Sequence, residues 1–228
     1  MRVVALIPAA GRGKRMGESI PKAFLPLGGV PLLARTLQKF EACPQIDEIL
    51  PLVPGEEILH CQKEIVERFG LRKVSEILAG GAERQDSVFA GLTAIQGKAD
   101  WVVIHDGARP LVTVELIERI LAAAKEWKAA VAALPAWETV KEVSEDGEVR
   151  RTLDRRSLWI IQTPQSFEYR LLFGAYEKAR EEGFLGTDDA SLVERLGVPV
   201  RVVEGEKWNL KITTPKDLAL AEALLKIQ

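Results

Sequence analysis

Residues Val3 to Pro26 read VVALIPAAGRGKRMGESIPKAFLP. The stretch opens on a continuous apolar run, Val3 to Ile7, of the kind that forms a strand buried on both faces. It then breaks at Pro8-Ala9-Ala10-Gly11 into a segment with further glycines at 13 and 17. Small residues let a backbone approach a ligand closely and turn its N–H groups toward anionic oxygens. Lys14, Arg15 and Lys22 put cations in the same window, with Arg12 beside them. A strand that opens into a small-residue loop carrying cations suits a triphosphate. A plain glycine turn accounts for the same residues without a ligand. The dinucleotide fingerprint is not met, because Met16 occupies the position of its third glycine and Gly17 comes one place late. A phosphate loop of the Gly-x-x-x-x-Gly-Lys-Ser/Thr type is absent. What remains, Pro-Ala-Ala-Gly-x-Gly-x-Arg-Met-Gly followed by Pro21-Lys22, resembles the signature of nucleotidyltransferases.

The chain has 228 residues, 47% hydrophobic and 28% charged, with a formal net charge of −2. That is an ordinary composition, long enough for a full α/β core, and it creates no strong field toward nucleic acid. Anion binding must therefore come from local placement of cations. Cys43 and Cys61 match no metal spacing and read as free thiols of a reducing compartment, with a disulfide between them as the alternative. The N-terminus enters a strand pattern at once, without a signal-peptide flank, and no apolar run approaches membrane-spanning length. A cytoplasmic protein with neither nucleic-acid nor membrane partner is expected.

Outward from the first loop, helices and strands alternate. Pro31 suits a first helical turn after Gly28-Gly29. Leu33, Leu37 and Phe40 follow at helical spacing, and Pro44 ends the segment. Glu48 to Val53 reads as a strand interrupted by Pro51. Glu56 to Phe69 reads as a helix closed by Gly70, and Lys73 to Leu78 as a strand ending at Gly80-Gly81. A helix carries Val88, Leu92 and Ile95 inward. The apolar run Trp101 to Ile104 suits a buried central strand. A helix capped by Thr113 runs to Trp127, and Ala129 to Leu134 makes another short strand. This alternation predicts an α/β fold, a mostly parallel sheet flanked by helices with right-handed crossovers. The pattern changes over residues 135–159. Thr139 to Val143 and Val149 to Leu153 flank Asp146-Gly147 and read as a projecting β-hairpin arm. The arm is too polar for a core and marginal alone, so it either packs on something, such as another subunit, or is an exposed loop. Helices over Tyr169 to Glu182 and from Thr187 to Gly197, a strand at Val200 to Val203 and a last helix with Leu218 and Leu224 complete one domain over residues 1–228.

Two later places can meet a ligand, and two more read as structural by default. Gly80-Gly81-Ala82-Glu83-Arg84-Gln85-Asp86-Ser87 leads into a helix and presents backbone groups. Taken without the first loop, the segment is better explained as a plain helix cap by Asp86 or Ser87. His105 and Asp106 follow the buried strand, and in an open α/β sheet the carboxyl ends of strands carry the site. Asp106 stands where a metal ligand is useful, or is a turn residue. His105 reads as a core histidine. Thr187 is a helix cap by default, and Lys211, between Leu210 and Ile212, reads as the solvated face of an edge strand.

These segments occur together and in order: 8–17, Pro21-Lys22, 80–88, His105 to Pro110, Thr139-x-Lys141, Thr163-Pro164-Gln165, Thr187 to Ser191 and Asn209 to Thr213. The set resembles the 2-C-methyl-D-erythritol 4-phosphate cytidylyltransferases of the non-mevalonate isoprenoid pathway over nearly the whole chain. The resemblance implies a Rossmann-like core and a homodimer whose β-arm hooks onto the neighbour. It implies transfer of a cytidylyl group from CTP to methylerythritol phosphate with Mg²⁺. Pro8, Ala9, Ala10, Gly11, Gly13, Arg15 and Lys22 would hold the triphosphate, with Arg15, Lys22 and Lys211 as the catalytic cations. Gly81, Ala82 and Ser87 would meet cytosine, and Asp106 would face CTP and bind Mg²⁺. Arg109, Thr139, Arg155, Thr163 and Thr187 would surround the acceptor together with Lys211. Rival readings are a cytidylyltransferase for another polyol phosphate, such as ribitol 5-phosphate, and a nucleotide sensor without catalysis. Gly107, Glu138, Ala23 and Trp208 depart from the family's usual residues.

Cytosine is then expected to be read mainly by backbone groups between Gly80 and Ser87, in a turn shaped to a pyrimidine. ATP and GTP should compete poorly with CTP. Use of either purine triphosphate as readily as CTP would show that this turn does not read the base.

Overall fold

The computed structural model of the chain describes residues 1–11 and 21–227. Arg12, Gly13, Lys14, Arg15, Met16 and Gly17 of the first loop lie outside the described residues. The elements run β1 (Val3–Pro8), β2 (Pro26–Leu27), β3 (Val30–Pro31), α1 (Leu32–Ala42), β4 (Glu48–Val53), α2 (Ile58–Cys61), β5 (Leu78–Ala79), α3 (Arg84–Ala94) and β6 (Trp101–Ile104). They continue with α4 (Val114–Trp127), β7 (Ala129–Pro135), β8 (Lys141–Val143), β9 (Val149–Thr152), β10 (Trp159–Glu168), α5 (Tyr169–Glu181), α6 (Asp189–Glu194), β11 (Arg201–Glu204) and α7 (Pro215–Leu225).

Among the described residues seven strands form one sheet, ordered β11-β7-β10-β6-β1-β4-β5. All neighbours pair in parallel except β10, which is antiparallel to β6 and β7. The α/β expectation of a mostly parallel sheet flanked by helices is met. Alternate residues of β1 serve opposite layers. Val3, Ala5 and Ile7 pack toward α1 and α4, while Val4 and Leu6 pack toward α3 and α5. That two-sided burial is why the strand reads as an unbroken apolar run. From β1 the chain first builds outward through β4 to β5 and then returns through α3 to β6 on the other side of β1. The strand order therefore reverses between β1 and β6, the kind of crevice where open α/β sheets bind ligands.

Two strands differ from expectation, each for a local reason. Lys73 to Leu78 is not one strand; β5 covers only Leu78–Ala79, with an isolated bridge between Ile49 and Val74. The Ile49 N–H donates to Lys73 O at 2.8 Å, and N–H groups two residues apart point the same way along a strand. Pro51, which has no N–H, therefore faces the place where residues 75–77 leave the sheet. β4 itself is continuous. The second difference is β10, a ten-residue strand at the centre of the sheet. Pro164 and the polar residues around it argue against a central strand by sequence, and the pairing with β7 shifts register between Ile161 and Gln165 to accommodate them.

The helix expected over Glu56 to Phe69 is helical from Gly55 to Glu67, opening as a 3₁₀ turn and passing through α2 into a π-helical stretch. Thr113 caps α4 as expected, its hydroxyl accepting from the Leu116 N–H at 3.1 Å. The hairpin forms from β8 and β9, separate from the main sheet, with Gly147 at φ 85° in the turn. Cys43 and Cys61 are buried thiols, and burial pushes Cys61 up to about 12, which leaves it unreactive. Among the described residues no helix is long and apolar enough to cross a membrane.

Helix α4 ends on Lys128 in the left-handed conformation, φ 69°, its N–H bonded to Ala124 O at 2.6 Å. A side chain there costs about 1–2 kcal/mol, and the exposed contact of Lys128 with Glu168 at 3.8 Å offsets little of it. Lys128→Gly relieves the clash but adds about 0.5–1 kcal/mol of chain entropy. The variant should be more stable by about 0.5–1 kcal/mol. A urea midpoint that stays put or falls would mean the position carries no strain.

Candidate functional site

The loops after β1, β5 and β6 meet at the crevice. The Ala9 N–H donates to Leu52 O at 2.8 Å and the Gly107 N–H to Pro8 O at 3.0 Å. The start of the first loop is thus held between β4 and the residue after Asp106. Ala10 presses on Gly80. A Cβ at Gly80 would lie 2.3 Å from the Ala10 Cβ and 2.9 Å from Ser87 Oγ, so only glycine lets the two turns touch. The Gly81 N–H donates to Ser87 Oγ at 2.9 Å, and that hydroxyl donates on to Glu83 O at 3.1 Å. Both groups are committed within the turn. The cap of α3 is neither Asp86 nor Ser87 but Glu83, in a reciprocal capping box with Asp86. Lys22 opens a single turn, Lys22–Phe24, whose Ala23 and Phe24 are buried in the α1 layer.

Asp106 lies two residues beyond the end of β6 and is 6% exposed. Three cations converge on it. Lys211 Nζ lies 2.6 Å from Oδ2, Arg84 Nε 3.0 Å from Oδ1, and Arg109 Nε 3.9 Å from Oδ2. Burial drives this carboxyl upward, but Arg84, Lys211 and Arg109 override it and hold Asp106 well below the usual carboxylate range. Arg109 also donates to Asn209 O at 2.8 Å. Its Nε is buried with no hydrogen-bond partner among the described residues. Thr163 Oγ1 accepts the Asp106 N–H at 3.0 Å. Arg109, Thr163, Thr187 and Lys211 line one cleft of about 450 Å³ with Arg84 and Asp106. Lys211 sits in a loop and not on an edge strand, which is what lets it reach the carboxylate. Thr187 is not the cap of α6; Asp188 is, accepting from the Ser191 N–H at 3.0 Å.

Thr139 and Arg155 are elsewhere. Both are exposed on the arm and neither lines the cleft; Arg155 donates to Trp137 O at 2.6 Å. Gly13 and Arg15 lie outside the described residues. No group of three or more His, Cys, Asp or Glu side chains able to hold a metal occurs among the described residues. A single ionised carboxylate does fit Mg²⁺, which commonly takes one or two carboxylates and draws its other ligands from phosphates and water.

Sequence reasoning missed the roles of Arg84 and Asp189. Arg84 bonds Asp106 with Nε and Asp189 with both terminal nitrogens. Burial lowers the guanidinium pKa, but Asp189 and Asp106 more than reverse this and raise it well above its ordinary value. Both residues fall inside segments singled out by the resemblance, but a pair 105 residues apart leaves no local pattern to find.

Comparison with known proteins matches the family described as 2-C-methyl-D-erythritol 4-phosphate cytidylyltransferase over residues 3–227. The chain is similar to a 2-C-methyl-D-erythritol 4-phosphate cytidylyltransferase of Geobacter metallireducens, 54% identical over 99% of this chain and 98% of the relative. It is similar to one of Syntrophus aciditrophicus, 50% identical over 99% and 96%. Among solved structures it resembles the enzyme of that name from Thermus thermophilus, with a TM-score of 0.80 and 39% identity, covering 99% of this chain and 100% of that one. It also resembles 4-diphosphocytidyl-2C-methyl-D-erythritol synthase from Anaerococcus prevotii, with a TM-score of 0.87 and 33% identity over 99% and 96%.

His105 is the core histidine expected. It is fully buried, with Nε2 3.1 Å from Arg109 O and Nδ1 3.1 Å from Thr163 Oγ1. A carbonyl only accepts, so Nε2 carries the proton and the Thr163 hydroxyl donates to Nδ1. Burial pushes His105 down to about 4, partly opposed by the Arg109 carbonyl and Asp106. The folded value lies below the unfolded value of about 6.5. The stability linked to His105 is therefore present above about pH 6.5 and lost as pH falls toward 4. In ligand-free protein its ring signals by NMR should remain those of neutral imidazole at pH 6. A midpoint near 6.5 would contradict this environment.

Proposed function

We propose a course for the reaction from the premise that this chain belongs to the 2-C-methyl-D-erythritol 4-phosphate cytidylyltransferase family. It is an enzyme that makes CDP-methylerythritol from CTP and methylerythritol phosphate, a step of the non-mevalonate isoprenoid pathway. In our reading an oxygen of the acceptor phosphate attacks the α-phosphorus of CTP in line. The bond from the α-phosphorus to the bridging oxygen breaks, and pyrophosphate leaves. Both reactants are anions, so the protein's task is positioning and charge stabilisation.

The observation that carries this reading is the convergence of Lys211, Arg84 and Arg109 on Asp106 at the reversal of strand order. Lys211 and Arg109, whose buried Nε has a donor to give, receive the acceptor phosphate. Thr163 and Thr187 border the acceptor in the same cleft. Pro8, Ala9, Ala10, Gly11 and Gly13 enclose the triphosphate, with Lys22 and Arg15 beside the charge that develops at the α-phosphorus. Gly81, Ala82 and Ser87 border the base. Asp106 is the residue to hold Mg²⁺, which when bound supplies charge neutralisation to the phosphate oxygens.

Residues 1–228 act as one domain in this reading, because a single sheet takes strands from Val3 to Glu204. The arm completes the site of a second copy. Trp137, Val149, Trp159 and Ile160 are exposed on and beside it, and a two-stranded hairpin is marginal unless packed. Thr139 and Arg155 then reach the acceptor in the neighbouring subunit.

Lys211→Ala should raise the barrier by about 3–4 kcal/mol, a hundredfold to a thousandfold in rate, and Arg155→Ala should also be inactive. Mixed under subunit exchange, the two variants should regain about a quarter of wild-type activity, since half the dimers then hold one intact site of two. Exchange verified by mass with no recovered activity would mean that each site is built from one chain.

A further inference from the structure

Asp189 makes more contacts than the start of a short helix requires. It is fully buried, and Arg84 takes both its oxygens through the two terminal nitrogens, at 2.9 Å to Oδ1 and 2.6 Å to Oδ2. The hydroxyl of Tyr176, itself 1% exposed, donates to the same Oδ1. Two parallel bonds between planar groups fix the plane and direction of a guanidinium. The remaining nitrogen, Nε, is thereby aimed, and it meets Asp106 Oδ1 at 3.0 Å. The beginning of α6 is tied in turn to the central strand β10. Gln165 Nε2 donates to Asp188 Oδ2 at 2.9 Å, and Gln165 Oε1 accepts from the Ala190 N–H at 3.2 Å. Orientation thus passes from a rigid strand through Asp189 and Arg84 to Asp106.

From this chain of contacts we infer that Asp189 and Arg84 are positioning residues for the transfer. Asp189 locks the Arg84 guanidinium, and Arg84 holds the Asp106 carboxylate in the orientation that faces the reacting phosphates. The inference rests on the role given to Asp106 above. Without Asp189, the guanidinium is free to turn its whole fork onto Asp106, which would mask the carboxylate instead of presenting it. Lysine at position 84 keeps the charge and loses the fork, so it separates geometry from charge.

The test compares Arg84→Lys, Tyr176→Phe and Asp106→Asn with wild type. The readouts are steady-state rates, calorimetric CTP binding, melting temperature, and Mn²⁺ binding to the CTP complex without acceptor. Arg84→Lys should bind CTP nearly as wild type does, because among the described residues the Arg84 side chain bonds Asp106 and Asp189 and not the backbone of the base turn. Its kcat should fall roughly tenfold to a hundredfold from misplacement of a group at the reacting centre. Its Mn²⁺ affinity should fall about tenfold, the usual effect of losing a partner that orients a metal ligand. Tyr176→Phe should move both in the same direction by less. Wild-type kcat and Mn²⁺ affinity in folded Arg84→Lys would overturn the inference. So would a rate loss that vanishes on cooling below a lowered melting temperature, which marks a structural clamp. If Arg84→Lys does not fold, Tyr176→Phe decides by the same readouts. Asp106→Asn separates the two levels. Normal turnover there sinks the role of Asp106 itself, whereas an inactive Asp106→Asn beside a normal Arg84→Lys sinks only the positioning.

Discussion

A carboxylate removed from water costs several kcal/mol unless other charges and hydrogen bonds replace the lost solvent. Among the described residues two are buried, Asp106 and Asp189, at one place. Their counter-charges come from α3, from the loop after β6 and from the loop before α7, as Arg84, Arg109 and Lys211. Segments far apart in the chain meet there, and among the described residues withdrawal of Arg84 leaves Asp189 a buried charge without an ion-pair partner. The same cluster shapes the chemistry. Three cations against two carboxylates give the cluster around Asp106 and Asp189 one positive charge in excess, while Asp188 and Glu194 also line the cleft. Asp106 stays ionised under these conditions, so it can face a cation without first losing a proton.

The layout of the sheet decides where this cluster can form. β1 and β6 are central, buried on both faces, and point their carboxyl ends at the crevice where the strand order reverses. The first loop is pinned there by short-range packing, with Ala10 resting on Gly80 and Pro8 bonded to Gly107. Glycine and alanine at these positions serve proximity between loops as much as proximity to a ligand.

Much of this was legible in the residues. The apolar run at β1, the βα alternation up to Leu134, the hairpin around Gly147 and the placement of Asp106 at a strand end all follow from periodicity and turn chemistry. What escaped had non-local causes. β10 carries Pro164, Gln162 and Gln165 in a central strand, which only the register shift against β7 makes acceptable. β5 is cut short by Pro51 on a different strand. Lys211 lies between two apolar residues and imitates an edge strand, while its actual partner stands far back in the sequence. Thr187 and Asp86 look like helix caps, but Asp188 and Glu83, each one of a run of polar neighbours, take that role. Local rules cannot choose among adjacent candidates when tertiary contacts make the choice.

The strand order also sets a timetable for synthesis. β7 has only β10 and β11 as neighbours, and both are made after it. A nascent chain that has emerged through Ser157 can assemble β6, β1, β4 and β5, but β7 has nothing to pair with. Its half-site holds Arg84 and Asp106 without Asp189 or Lys211. Emergence of β10 supplies the strand that bridges the two halves, and α6 and the loop before α7 then close the charge cluster. Domains generally fold as units once enough chain is available, and pairings this distant in sequence form slowly. The N-terminal segment proposed above to hold the triphosphate is thus among the first off the ribosome, while the charge cluster is among the last parts to be completed.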